Sequence, residues 1–123
     1  MIGVGIDIIE VSRIRAMLRK HNDRFLERVF TPAEQEYCTR SARSDEHFAA
    51  RFAAKEAAMK ALGTGLSGGI QWIDIEVTHD PHGRPVITLH GEAKAVAERL
   101  GISKMLVSLT HIKSAAAACV IAE

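Results

Sequence analysis

The stretch EHFAARFAAKEAAMKAL, from Glu46 to Leu62, decides the fold. Phe48, Phe52, Met59 and Leu62 recur with helical spacing and form one large apolar stripe. Ala49, Ala50, Ala53, Ala54, Ala57, Ala58 and Ala61 cover most of the remaining surface. A helix that is small on nearly all sides is expected to be buried on several of them, so the rest of the chain is expected to pack around it. Glu56 and Lys60 stand i, i+4 on one shoulder of the stripe. Gly63 ends the helix, and Gly65, Gly68 and Gly69 make a flexible loop.

N-terminal to this helix, Ile2 to Val11 alternates as a strand, with Ile2, Val4, Ile6 and Ile8 on one face. Gly3, Gly5, Asp7 and Ile9 occupy the other, where the small residues allow a close neighbour beside Asp7. Ser12 is a plausible N-cap for a helix carrying Ile14, Leu18 and Phe25 on one stripe, and His21-Asn22-Asp23 is a candidate break in it. Phe30-Thr31-Pro32-Ala33-Glu34 opens a short helix, capped by Thr31 with Glu34 completing a capping box, that ends near Arg40. Ser41 to Asp45 reads as a polar connector.

C-terminal to it, Trp72 to Thr78 alternates as a strand with Ile73, Ile75 and Val77 inward. A turn over 79–85 leads to the strand Val86 to His90, followed by a helix from Gly91 to Leu100 with Ala93, Val96, Ala97 and Leu100 inward. Lys104 to His111 and Ala115 to Ala122 read as two further strands. Strands joined by hairpins and mixed with helices give an α+β class, an antiparallel sheet packed against a long central helix. With 123 residues, one domain over 1–123 is expected.

Composition narrows the function. At 47% hydrophobic and 25% charged residues with three prolines, the chain is not disordered, collagenous or mucin-like. No apolar run approaches the roughly 18 residues of a membrane span. Met1 to Val11 lacks a basic start and carries Asp7 and Glu10, so it fails as a signal peptide and points to the cytoplasm. Cys38 and Cys119 are far apart without C-x-x-C spacing and read as free thiols. Net charge is only +1, yet Ser12 to Arg28 holds six basic residues (Arg13, Arg15, Arg19, Lys20, Arg24, Arg28) against Asp23 and Glu27. That segment is +4 and the remainder −3, which suggests one acidic partner rather than general nucleic-acid binding.

Asp7 interrupts an apolar strand, where a desolvated carboxylate must be hydrogen-bonded, paired or metal-bound. Taken singly, Asp7 also reads as a strand-end residue facing water, and Glu56 as an exposed ion pair with Lys60 worth roughly 0.3–0.5 kcal/mol. Taken together, two semi-buried carboxylates beside a lysine suit Mg²⁺ with a phosphate, since Mg²⁺ takes one or two carboxylates and completes its shell with water and phosphate oxygen. The loop from Gly63 to Gly69 has no Walker spacing and follows a helix whose dipole disfavours anions. Its backbone could still touch phosphate, with Lys60 offsetting the dipole, or simply be a helix cap. His79 and His82 lie in a turn without a second ligand pair, so structural zinc is rejected. His111 reads as an ordinary strand-end histidine, and Trp72 and the phenylalanines as core.

Five stretches in order are similar to one family. They are Gly3-x-Gly5-x-Asp7-Ile8 with Arg13 following, Phe30-Thr31-x-x-Glu34-x-x-Tyr37-Cys38, and Phe52-Ala53-x-Lys55-Glu56-Ala57-x-x-Lys60-Ala61-x-Gly63-x-Gly65. Trp72-x-Asp74-Ile75-Glu76-Val77 and Ser108-Leu109-Thr110-His111 complete the series. On these residues the chain resembles the holo-(acyl-carrier-protein) synthases, the small bacterial type of 4′-phosphopantetheinyl transferase. Ile112 departs from the polar residue more common after the histidine, which bears on the interface rim rather than the metal site.

The resemblance implies transfer of the 4′-phosphopantetheine arm of coenzyme A to a serine of apo acyl carrier protein, releasing adenosine 3′,5′-bisphosphate, in fatty acid biosynthesis. By position it implies Asp7 and Glu56 as Mg²⁺ ligands and Lys60 as a contact to the coenzyme A phosphates, these three forming the catalytic set. It implies Arg51, Gly63, Gly65, Ser67 and His111 as nucleotide contacts. It also implies a homotrimer with sites at subunit interfaces, His111 serving its own or a neighbouring site. Acyl carrier proteins are acidic, so Arg13, Arg15, Arg19, Lys20 and Arg24 would steer docking while Met17 and Phe25 supply apolar anchors. No nucleic-acid or membrane partner is implied. Two other readings remain open: a non-catalytic adaptor binding an acidic protein through the basic helix, and a Mg²⁺-dependent phosphohydrolase that uses water as nucleophile.

Overall fold

The computed structural model describes residues 1–123, the side chain of Asn22 excepted. The elements in order are β1 (Gly3–Glu10), α1 (Val11–Val29), α2 (Pro32–Thr39), α3 (Ser44–Leu62), a 3₁₀ turn (Trp72–Asp74), β2 (Ile75–His79), β3 (Pro85–Leu89), α4 (Gly91–Arg99), β4 (Met105–His111) and β5 (Ala115–Ala122). β1, β5 and β4 form an antiparallel sheet in that order, and β2 pairs with β3 in a separate two-stranded sheet.

The alanine-rich helix is central, as expected: all seven of its alanines are buried, with Phe48, Met59 and Leu62 beside them. It lies across β1 and β5, and the glycine face of β1 lets the two backbones touch. A Cβ placed on Gly3 would stand 2.1 Å from the carbonyl oxygen of Ala61. The isoleucine face of β1 is turned away from the core. Ile6 is 67% exposed and Ile8 72%, with Val4 and Leu106 exposed on the same sheet.

Several local expectations change. Glu10, not Ser12, is the N-cap of α1, and α1 runs unbroken through the proposed break at His21-Asn22-Asp23. Phe25 and Val29 are buried beyond it, so packing of the apolar stripe holds the helix through this polar stretch. α3 begins at Ser44, taking in the end of the polar connector. Trp72 to Asp74 is 3₁₀ rather than strand, closed by the Asp74 carboxylate accepting from the Gln71 N–H at 3.0 Å. Leu100 lies at the C-cap of α4 and is 47% exposed instead of inward. The Thr31 capping box forms as read. Both cysteines are free, and burial pushes the Cys38 thiol up to about 12. Among the described residues, no helix is long and apolar enough to cross a membrane.

Candidate active site

Asp7 projects from β1 on the glycine face, toward α3, and is largely covered. Lys60, one turn from the end of α3, reaches across to this strand. Its Nζ donates to the Ile6 carbonyl at 2.8 Å and to Asp7 Oδ1 at 3.3 Å. The i, i+4 ion pair with Glu56 is therefore not what occupies Lys60. Burial pushes the Glu56 carboxyl above its ordinary value, and the Asp7 charge and a hydrogen bond with Asp7 push the same way. Lys60 and Arg13 act in the opposite direction. Two elements thus bring together two carboxyls, Asp7 and Glu56, flanked by an ammonium group and a guanidinium.

This geometry follows from packing. Residues two apart on a strand share a face, so Asp7 continues the row of Gly3 and Gly5 along the surface of α3. Two facing carboxylates either share a proton or accept a cation. Among the described residues no group of three or more His, Cys, Asp or Glu gathers as a metal cluster. A pair of carboxylate oxygen donors suits a hard divalent ion rather than zinc.

A second cleft of about 320 Å³ contains Arg51 and His111, with Tyr37, His47, His79 and Ser108 among its other walls. Arg51 is 1% exposed. Its Nη1 donates to the His47 carbonyl at 3.3 Å and its Nη2 to His79 Nδ1 at 3.2 Å, and its guanidinium carbon sits 4.2 Å above the Tyr37 ring centroid. Its Nε has no partner. His111 Nδ1 donates to Glu46 Oε1 at 2.8 Å, which leaves its Nε2 free of that bond. In register, Asp7, Ala118 and Leu109 form one cross-strand row, and Ile9, Ala116 and His111 the next. Asp7 and His111 therefore sit two strands apart, about 10 Å sideways, on one face of the sheet.

Tyr37, His47 and His79 were not among the expected nucleotide contacts. His47 was legible in principle, since it precedes Arg51 by four residues on one helix. His79 gave no such signal, lying where β2 runs into a turn. The loop after α3 is a weaker phosphate site than expected. The N–H groups of Gly63 and Thr64 both donate to Met59, and that of Ser67 donates to Thr64. Neither Gly63 nor Ser67 keeps a free amide for a ligand, and Gly65 is the expected contact not used in this way.

Arg13, Arg19, Lys20 and Arg24 are exposed along α1, and Met17 is partly so. Arg15 is engaged, its Nε donating to Asp45 at 2.8 Å. Phe25 is not a free anchor. It is 7% exposed, edge-on to Phe30 and beside Phe52, and it only floors a hollow rimmed by Arg13, Met17 and Lys20.

Beneath the site lies a buried ion pair that the motif did not reveal. Lys55 Nζ donates to Glu34 Oε1 at 2.8 Å, to the Ile75 carbonyl at 2.6 Å and to the Trp72 carbonyl at 3.1 Å. Glu34 accepts in addition from the N–H of Thr31 and of Val77. Burial holds the Lys55 ammonium below its usual range, while Glu34 opposes that shift. The pair ties α2, α3 and β2 together next to Glu56 in sequence.

A family model described as the 4′-phosphopantetheinyl transferase superfamily matches residues 3–120. A holo-[acyl-carrier-protein] synthase of Koribacter versatilis is 51% identical over 123 residues, covering 100% of this chain and 98% of its own. The crystal structure of the Neisseria meningitidis holo-[acyl-carrier-protein] synthase superposes with a TM-score of 0.91 at 32% identity, over 100% of this chain and 98% of that one. The Helicobacter pylori synthase in complex with coenzyme A gives 0.86 at 31% identity, over 98% and 99%. The chain belongs to the 4′-phosphopantetheinyl transferase superfamily.

Proposed function

We propose that this chain transfers the 4′-phosphopantetheine group of coenzyme A to a serine of apo acyl carrier protein, a carrier-activating step of fatty acid biosynthesis. The meeting of Asp7 and Glu56 beside Lys60 carries the reading, because pyrophosphate cleavage needs charge neutralised at that point. The serine oxygen bonds to the phosphorus bearing the pantetheine arm. The bond from that phosphorus to the bridging oxygen breaks, and adenosine 3′,5′-bisphosphate leaves. Asp7 and Glu56 would hold Mg²⁺, which supplies Lewis-acid stabilisation to the diphosphate. Lys60 places a positive charge against the phosphate oxygens, and its bond to the Ile6 carbonyl fixes its position. Glu56, or a water held beside it, would take the serine proton. The cleft at Arg51 and His111 would receive the adenosine end, with Gly65 on the phosphate side.

The carrier protein docks on α1 in this reading, its acidic surface drawn by Arg13, Arg19, Lys20 and Arg24 and its apolar contact made at Met17. The exposed sheet face of Val4, Ile6, Ile8 and Leu106 favours a homotrimer, since a contiguous apolar face on a soluble chain marks an interface. The free thiols fit a cytoplasmic setting. An adaptor role leaves the Asp7, Glu56 and Lys60 cluster without a purpose. Mass spectrometry of apo carrier protein incubated with enzyme and coenzyme A tests the reading. A gain of one phosphopantetheine group, abolished by chelator and restored by Mg²⁺, is expected; an unmodified carrier protein overturns it.

A further inference from the structure

Two motifs take no part in the transfer chemistry, the one that carries Thr31 and Glu34 and the one that runs from Trp72 to Val77. Both meet at one atom, Nζ of Lys55, whose side chain is fully buried together with that of Glu34. An ammonium group has three N–H donors, and each has an acceptor here: Glu34 Oε1 at 2.8 Å, the Ile75 carbonyl at 2.6 Å and the Trp72 carbonyl at 3.1 Å. Glu34 is held in turn by the N–H groups of Thr31 and Val77. A buried ion pair is weak evidence for stability, since apolar residues of similar volume often serve as well. What apolar side chains do not supply is direction, because hydrophobic contact is non-directional.

Direction matters at this point of α3. Lys55, Glu56 and Ala57 are consecutive. Successive residues turn about 100° around a helix, so Lys55 and Ala57 lie on nearly opposite sides with Glu56 between them. On one side the Ala57 carbonyl meets the backbone of Gly5. On the other the Lys55 ammonium is gripped by α2, the 3₁₀ turn and β2. We propose that the Lys55–Glu34 pair is a positioning device for the transfer reaction, which stops α3 from rolling against β1 and so sets where the Glu56 carboxyl meets Asp7. The contact with β1 alone leaves such a roll open, since Gly3 and Gly5 have no side chains to interlock with the helix. Reacting groups have to be held within about 0.5 Å and 10–20° of their productive geometry. The Trp72 residue whose carbonyl Lys55 holds also stacks its ring on Phe52 at 4.7 Å, one turn before Glu56. Lys55 is fully buried and can touch neither substrate, so its effect falls on metal binding and the transfer step. The inference rests on the function proposed above and adds to it the residues that hold the acidic site in register.

The test compares wild type, Lys55→Met, Lys55→Met/Glu34→Gln and Val96→Ala, the last a cavity under α4 outside the clamp. Urea unfolding is measured together with kcat and with KM for coenzyme A and for apo carrier protein. Mn²⁺ binding in the presence of coenzyme A is followed by electron paramagnetic resonance, under conditions where circular dichroism shows each variant folded. The double variant is expected to unfold at a higher urea midpoint than Lys55→Met, with both KM values close to wild type. Its kcat and its Mn²⁺ affinity are each expected to stay about tenfold or more below wild type. Val96→Ala is expected to lose stability and keep kcat. Where the double variant does not fold, Glu34→Gln alone keeps the Lys55 ammonium and its two carbonyl acceptors, and carries the same expectation and the same refutation. Wild-type kcat and Mn²⁺ affinity in the double variant overturn the proposal while leaving the transfer activity standing. A Val96→Ala enzyme whose kcat falls as far also overturns it, since lost stability alone then explains the effect. Wild-type protein that leaves the carrier protein unmodified overturns both readings.

Discussion

Gly5 rests against the backbone of Ala57, so close that a Cβ on Gly5 would fall 1.8 Å from the Ala57 carbonyl oxygen. The next residue on that face of β1 is Asp7, and the residue before Ala57 is Glu56. The contact of strand and helix backbones is therefore what sets the separation of the two acidic groups. Gly5→Ala must push β1 from α3, and neither backbone can yield cheaply. A loss of about 1–3 kcal/mol or more in urea unfolding is expected, with a larger proportional loss of turnover. A variant with wild-type midpoint and rate would show that the close approach does not matter.

Asp7→Asn and Glu56→Gln should leave the fold intact and reduce transfer by about 10²–10³-fold. Neither removes an apolar contact, and each relieves the repulsion between the two carboxylates. Circular dichroism should match the wild type while Mg²⁺ titration no longer rescues activity. Near-normal rates at saturating Mg²⁺ would remove these residues from the mechanism.

Arg13→Glu and Arg24→Glu should raise the KM for carrier protein and flatten its dependence on salt, since both are exposed on α1. Arg15 is the informative contrast. Its bond to Asp45 makes it part of the α1–α3 contact, so Arg15→Glu should lower stability as well. Kinetics insensitive to salt in the wild type would place docking elsewhere.

Lys55→Met leaves Glu34 charged and buried, at an expected cost of about 3–5 kcal/mol. The double variant Lys55→Met/Glu34→Gln should recover part of this, because the remaining carboxamide still accepts from Val77 or Thr31. No recovery in chemical unfolding would mean that the backbone bonds of Lys55, rather than its charge, hold the three elements.

Glu76 provides a pH signature. Its carboxylate accepts from the Thr31 hydroxyl at 2.6 Å and from His90 Nε2 at 3.0 Å. The Thr31 bond is the main cause holding its pKa below the ordinary 4.5, with His90 assisting against the effect of burial. A depressed acid stabilises the fold above 4.5 and loses that contribution as pH falls through its lowered value. The stability difference between wild type and Glu76→Gln should therefore be constant near neutrality and shrink below pH 4.5. A difference independent of pH down to 3 contradicts the assignment.

Much of this molecule could be read from its residues, and the exceptions share a cause. Helix α3 was legible because seven alanines and a stripe of large apolar residues need neighbours on several sides. The α2 cap was legible because Thr31, Pro32 and Glu34 act within one turn. Asp7 and Glu56 could be paired by chemistry before any geometry was known. Local pattern failed where tertiary contact decided the outcome. Trp72 to Asp74 alternates like a strand, yet the Asp74 N–H donates to the Gln71 carbonyl and its carboxylate accepts the Gln71 N–H, which closes a 3₁₀ turn, while its own carbonyl accepts the N–H of His90. Phe25 lies beside basic residues in sequence, but its ring is needed by Phe30 and Phe52. The triple-histidine cleft draws on α3, β2 and β4, and no spacing rule links positions 47, 79 and 111.

Helix α3 has no idle side: Arg51 faces the histidine-walled cleft, Lys55 the buried clamp, Glu56 and Lys60 the acidic site, and the alanines the sheet. One inserted or deleted residue between Arg51 and Lys60 would turn everything beyond it by about 100°. Such an indel would misdirect several of these groups at once, with no second register in which they agree. Length variation in descendants of this chain should therefore collect in the glycine loop after Gly63 and in the turn around Gly83, while the count of residues from Arg51 to Lys60 stays fixed.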